Sequence, residues 1–118
     1  MTVQSYEEYR AQMPEMNKGA VKRTLDLLQG KWTIKVIYQL SYQGQMRFGD
    51  LQRSLAPITN TMLTTTLREL EERGLVQRIQ YNEVPPRVEY FLTDAGKMLY
   101  PVFSELEKWG REYLPACE

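Results

Sequence analysis

Between Ile58 and Gly74 the chain reads ITNTMLTTTLRELEERG, and its chemistry-bearing side chains are short: Thr59, Asn60, Thr61, Thr64 and Thr65, followed by Arg68. Hydroxyls and amides donate and accept hydrogen bonds, but they carry no proton that titrates near neutrality. The residue types suited to proton transfer are scarce elsewhere too. The chain has no histidine and a single cysteine, Cys117, which excludes a His-dependent triad, a Cys/His zinc site and an intrachain disulfide. Glu71 and Glu72 are adjacent, so on a helix they point in different directions and form no acid–base couple. The pattern points to recognition by hydrogen bonding and charge, not to an enzyme, and it implies neither a metal nor a cofactor.

Recognition needs a frame, and the composition bounds it. The chain has 118 residues, 42% hydrophobic and 25% charged, with fifteen basic and fifteen acidic side chains. That is enough for one globular domain with its own core and too little for two. The neutral total hides an asymmetry. Residues 1–17 carry net charge −2, residues 18–53 carry +5 and residues 54–118 carry −3. A basic third in a neutral protein suits either a phosphate-facing surface or a solvated helix face. The N-terminus shows neither a secretory signal nor a span, so no membrane partner and a soluble, cytoplasmic protein are expected.

The elements that position these residues can be read from their periods. Val21, Leu25 and Leu28 form one helical stripe, and Trp32, Val36, Ile37 and Leu40 form another, so there are either two helices or one bent at Gly30. Gly44 ends that segment; Phe48, Leu51 and Leu55 then trace a short helix closed by Ala56 and Pro57. Thr59 to Arg73 is the best-defined helix, with Leu63, Leu67 and Leu70 as its apolar stripe and Gly74 at the position of a left-handed C-cap. The period then drops to two through Leu75–Tyr81 and again through Val88, Tyr90 and Leu92, which gives two strands around a stiff Pro85–Pro86 tip. Thr93 can cap a final helix, in which Pro101 demands either a kink or a fresh start. The expected fold is mainly α with a small β-hairpin: residues 1–17 as an N-terminal arm or helix, and residues 18–118 as a winged helix-turn-helix domain.

The wording is more specific than the order. LDLLQGKWTIKVIYQL, RFGDLQRSL, ITNTMLTTTLRELEERGLVQR and EVPPRVEYFLTDAGKMLYPVF, in that sequence and spacing, strongly resemble the HxlR family of bacterial winged-helix transcriptional regulators, from about residue 20 to about residue 110. The resemblance implies a sequence-specific regulator of double-stranded DNA, with the Thr59–Arg73 helix in the major groove and the hairpin as a wing on the flanking backbone or minor groove. The competing expectation is a winged-helix module for protein contacts. Trp32 of the GKW block belongs to the core. Arg47 of the RFG block either reaches a phosphate or is solvated. Thr59, Asn60, Thr61, Thr64, Thr65 and Arg68 are the candidate DNA-contacting residues of the helix, with Asn60 or Thr65 reaching base edges. Capping by Thr59, with the other threonines there by chance, is the plainer account. Thr61 stands where relatives often carry a lysine. On the wing, Arg78 and Arg87 are the candidate contacts, and for Arg87 an ion pair with Glu83 or Glu89 is the alternative.

The last helix has more apolar surface than one domain needs: Leu99, Phe103, Leu106, Gly110 and Tyr113 on one stripe, and Met98, Val102 and Trp109 on a second. The family dimerises through its terminal helices, so the expected dimer interface is Val102, Phe103, Leu106, Trp109 and Tyr113, with Tyr6 and Tyr9 of the N-terminal segment folded over it. A wider intramolecular core is the alternative. A small-molecule effector in the dimer cleft, with Trp109 or Tyr100 as its wall, is compatible with this surface. Some relatives sense oxidants through a cysteine shortly before the first helix; here that stretch is MNKGAVKR, and Cys117, one residue from the C-terminus, is expected to play no sensing part.

Overall fold

Gly30 sits at a positive φ of 115°, a conformation that costs glycine little and other residues much, and it divides the first apolar run into two helices. A computed structural model describes residues 3–116. Helix α1 (Val3–Gln12) is followed by α2 (Ala20–Leu28) and α3 (Thr33–Gln43), strand β1 (Gln45–Arg47), helices α4 (Phe48–Ser54) and α5 (Asn60–Glu72), strands β2 (Val76–Tyr81) and β3 (Arg87–Leu92), and helices α6 (Asp94–Lys97) and α7 (Tyr100–Tyr113). The expected winged arrangement is present, with one addition. The hairpin gains β1 as a third strand, and the sheet order is β1-β3-β2, antiparallel throughout. Only Met46 is buried in β1, between exposed Gln45 and Arg47.

The core lies where α3, α4 and α5 meet the inner face of the sheet. Val36, Ile37 and Leu40 of α3, Leu51 of α4, Ile58, and Leu63, Leu67 and Leu70 of α5 are sealed from solvent, and Leu75, Val76, Tyr90 and Leu92 close the cluster from the sheet side. Trp32 is 8% exposed, as its place on the stripe requires. The alternation through β2 does not produce a half-buried strand: Val76 alone is buried and Ile79 stays exposed. The outer part of β2 thus lies open to solvent, while Val88 of β3 packs partly against the core.

The junction after α5 is pinned. Gly74 adopts φ 77°, the left-handed C-cap expected there. The Leu75 amide donates to the Leu70 carbonyl at 2.9 Å, and the Thr93 amide donates to the Leu75 carbonyl at 3.0 Å. The Thr93 hydroxyl donates to the Gly74 carbonyl at 2.6 Å while its oxygen accepts the Gly96 amide at 3.2 Å, capping α6. Of the two possibilities at Pro101, the fresh start is observed: the proline lies in the first turn of α7, where a missing amide costs no helical bond.

The terminal helices lie off this core. No residue of α7 is fully buried; Leu99 and Phe103 pack partly against the cluster, Phe103 edge-on to Tyr38 with ring centroids 5.3 Å apart. The radius of gyration is 17.1 Å, against about 13.5 Å for a compact domain of this length. Among the described residues no helix is long and apolar enough to cross a membrane.

Candidate nucleic-acid interface

Burial of Leu63, Leu67 and Leu70 fixes which way α5 faces. At about 3.6 residues per turn, Thr61, Thr65 and Arg68 lie opposite that stripe, and all three are exposed. Asn60 and Thr64 fall on its flank and are exposed as well, Asn60 because the first turn extends past the core. The Thr59 hydroxyl oxygen accepts the Met62 amide at 3.1 Å, so the capping role expected for it is occupied. Thr66, half-buried, donates its hydroxyl to the Met62 carbonyl at 2.8 Å. What remains is a short, rigid row of hydroxyl and amide groups with Arg68 at its C-terminal end. Arg68 makes no ion pair among the described residues.

The sheet carries three more cations, Arg47 and Arg87 on the face of Glu89 and Arg78 on the other. β1 ends at Arg47, opposite Glu89 of β3, two residues from Arg87 at the root of the hairpin loop. Arg47 is exposed and begins α4 as its N-cap residue. Arg78, on β2 opposite Tyr90, is exposed and donates to the Gln80 amide oxygen at 3.4 Å. Arg87 differs. Its guanidinium is 3.3 Å from Glu83 and 3.7 Å from Glu89, and it lies over the Tyr81 ring with its central carbon 4.1 Å from the centroid. Of the two arrangements considered for Arg87, the free chain adopts the ion pair. Gln45 extends the cluster, donating to the Tyr81 hydroxyl at 3.1 Å and to Glu89 at 3.0 Å. The sequence offers no sign of Gln45 or Tyr81 in this role, because both are cross-strand neighbours.

Lys31 of the GKW block and Lys35 both belong to the basic third, and what the sequence did not show is their place beside Trp32. Lys31 and Lys35 flank the Trp32 ring, with their ammonium groups 5.3 Å and 4.9 Å from its centroid, so the basic charge of this region gathers at the start of α3. Other cations are partnered along their own helices, Lys22 with Asp26 and Arg53 with Asp50 among them.

On α7, Val102, Leu106, Trp109 and Tyr113 are 44%, 56%, 57% and 68% exposed. They line an open concavity of about 930 Å³, along which the Trp109 and Tyr113 rings lie 5.3 Å apart. Phe103, expected on the same outward surface, turns partly toward the core. Tyr6 and Tyr9 are about half exposed on α1. Trp109 lines the concavity and Tyr100 does not. Cys117 lies outside the described residues. Among those described, no group of three or more acidic or cysteine side chains is placed to hold a metal ion.

The family model for the HxlR-like helix-turn-helix matches residues 27–118. The chain belongs to the HxlR-like helix-turn-helix family. An HTH-type transcriptional regulator from Halalkalibacterium halodurans is 41% identical over 106 residues, covering 90% of this chain and 94% of its own. One from Bacillus subtilis is 42% identical over 87 residues, covering 74% and 80%. Among solved structures, a MarR-family transcriptional regulator from Porphyromonas gingivalis superposes with a TM-score of 0.76 at 35% identity, covering 87% of this chain and all of that one. The HxlR-like chain is therefore a transcriptional regulator with a winged-helix fold, and its relatives are regulators, not enzymes. In that frame α5 is the second helix of the helix-turn-helix and the β2–β3 hairpin is the wing.

Proposed function

We propose that the chain binds duplex DNA as a homodimer, with α5 in the major groove and the wing on the flanking minor groove. The observation that carries this is the exposed row of Thr61, Thr65 and Arg68, held rigid over three fully buried leucines on a capped helix. Threonine and asparagine are mediocre helix formers, so their concentration on an outward face has a propensity cost that contact with DNA would offset. Short side chains let a helix approach base edges closely, and Asn60 or Thr65 can read them while Arg47, Arg68 and Arg78 hold phosphates. The second copy is supported by α7, whose Leu106, Trp109 and Tyr113 stay more than half exposed in the single chain. In a two-fold dimer the α5 helices would sit about 34 Å apart, one turn of B-DNA.

The test is affinity for duplex selected from a random-sequence pool, measured against salt. The expected result is a dimer on DNA with log affinity falling linearly in log salt. A monomer at micromolar concentration, or binding indifferent to salt and sequence, would refute it and favour a protein-contact module.

A further inference from the structure

The wing tip is the one part of the candidate interface without an available cation. Val84 is 102% exposed, and Pro85 and Pro86 beside it are exposed too. The two charges at the loop's ends, Glu83 and Arg87, neutralise each other across 3.3 Å. What the loop itself offers its surroundings is an apolar knob, Val84 with Pro85 and Pro86, on a base that holds Arg87 between the carboxylates of Glu83 and Glu89. An isolated exposed valine is ordinary, and prolines in a hairpin loop serve to prevent strand-to-strand aggregation. Neither point accounts for the bracing beneath. Arg87 is stacked on Tyr81 and flanked by Glu83 and Glu89, while Gln45 ties Tyr81 to Glu89 from the third strand. The network stiffens the base of an exposed loop, and stiffness matters when a shape is to be fitted against another surface. β1 also delivers the exposed Arg47 to the same end of the sheet as this knob.

Resting on the DNA-binding function proposed above, we infer that Val84 and Pro85 form an apolar probe that enters the minor groove and selects against guanine on the operator flank, with Arg87 as the positioning residue that braces it. A·T pairs present only acceptors in the minor groove, whereas a G·C pair adds the guanine N2 amino group. An apolar knob pressed to the groove floor meets that amino group as both a steric obstacle and a donor left unpaired, and finds neither in an A·T step. Because Val84 and Pro85 carry no charge, their contact with the groove leaves the salt dependence untouched, which separates it from phosphate contact by a projecting arginine.

The experiment uses the full chain and one duplex recovered by selection from a random pool, with the flank facing the wing rebuilt as A·T, G·C or inosine·C. Inosine·C keeps the pairing geometry of G·C and lacks the N2 amino group. The expected result is about fivefold weaker binding to the G·C flank and recovery to within twofold of A·T with inosine. Val84→Gly should reduce the A·T over G·C preference to below twofold, with the salt slope unchanged; the site is fully exposed, so folding is not at risk. Arg87→Ala should likewise erase the preference without changing the slope, with its thermal melt recorded beside it. An inosine flank that binds as poorly as G·C, or a Val84→Gly protein that keeps its preference, overturns the inference while leaving DNA binding intact. A fall in salt slope of about one with Arg87→Ala overturns it in favour of a direct phosphate contact. Failure of the parent to bind any duplex overturns both.

Discussion

Leu106→Ala provides a quantitative test of the dimer. In the single chain this side chain is 56% exposed, so an interface would remove roughly half of a leucine from water. Full burial contributes about 1.5–3 kcal/mol, which makes the uncovered half worth about 1 kcal/mol. A two-fold interface uses the same patch twice, so one substitution removes both copies and costs about 2 kcal/mol. That corresponds to a roughly thirty-fold rise in the dimer dissociation constant, at about 1.4 kcal/mol per decade. Sedimentation equilibrium over a concentration series would measure it, with Val84→Ala on the wing as a control that leaves the constant unchanged. Leu106→Glu should go further and yield a folded monomer, since the core cluster contains no part of Leu106. A Leu106→Ala protein whose dimer constant stays within threefold of the parent would refute the argument. So would one whose helicity collapses, which would place Leu106 in an intramolecular core.

Asn60→Ala and Thr65→Ala should each lose on the order of 1–3 kcal/mol of discrimination between selected and random duplex if they meet base edges, as competition binding would record. Thr93→Ala removes the α6 cap and the bond to the Gly74 carbonyl, together about 2 kcal/mol, readable as a denaturant midpoint shift. Thr93→Ser keeps both bonds and should lie within about 0.5 kcal/mol of the parent. Gly96→Ala would drive a Cβ into the Leu75 carbonyl oxygen and onto Leu92; a loss of about 3 kcal/mol is expected, toward the severe end of overpacking, and a melt unchanged from the parent would show that the junction can yield.

Helix α5 was the most legible element because three independent signals coincide there: the leucine stripe sets the period, Thr59 the start and Gly74 the stop. Exposure of Thr61, Thr65 and Arg68 then follows from helical geometry alone. β1 was not legible, since three residues with one buried side chain carry no measurable alternation and the strand exists only because β3 offers it an edge. Arg87 shows a different limit. Glu83 and Glu89 are visible as local partners, but the Tyr81 ring that completes the arrangement is a cross-strand neighbour, fixed by register. On α7, apolar residues surround much of the helix, so pattern alone could not tell that Phe103 turns inward to Tyr38 while Leu106 and Trp109 turn out.

The pinned junction around Thr93 has a mechanical consequence. The end of α5 is joined to the start of α6 through Gly74, Leu75 and Thr93 by hydrogen bonds of 2.6–3.0 Å, and only Met98 and Leu99 separate α6 from α7. On the proposed function, α5 and α7 would act as two arms of a crank with its elbow at this junction. In a two-fold dimer with recognition helices about 34 Å apart, each arm reaches about 17 Å from the axis. Rotating α7 by about 10° would then move α5 by about 3 Å, close to the step between successive base pairs. A modest change in how two copies of α7 cross would be enough to throw the recognition helices out of phase with the grooves.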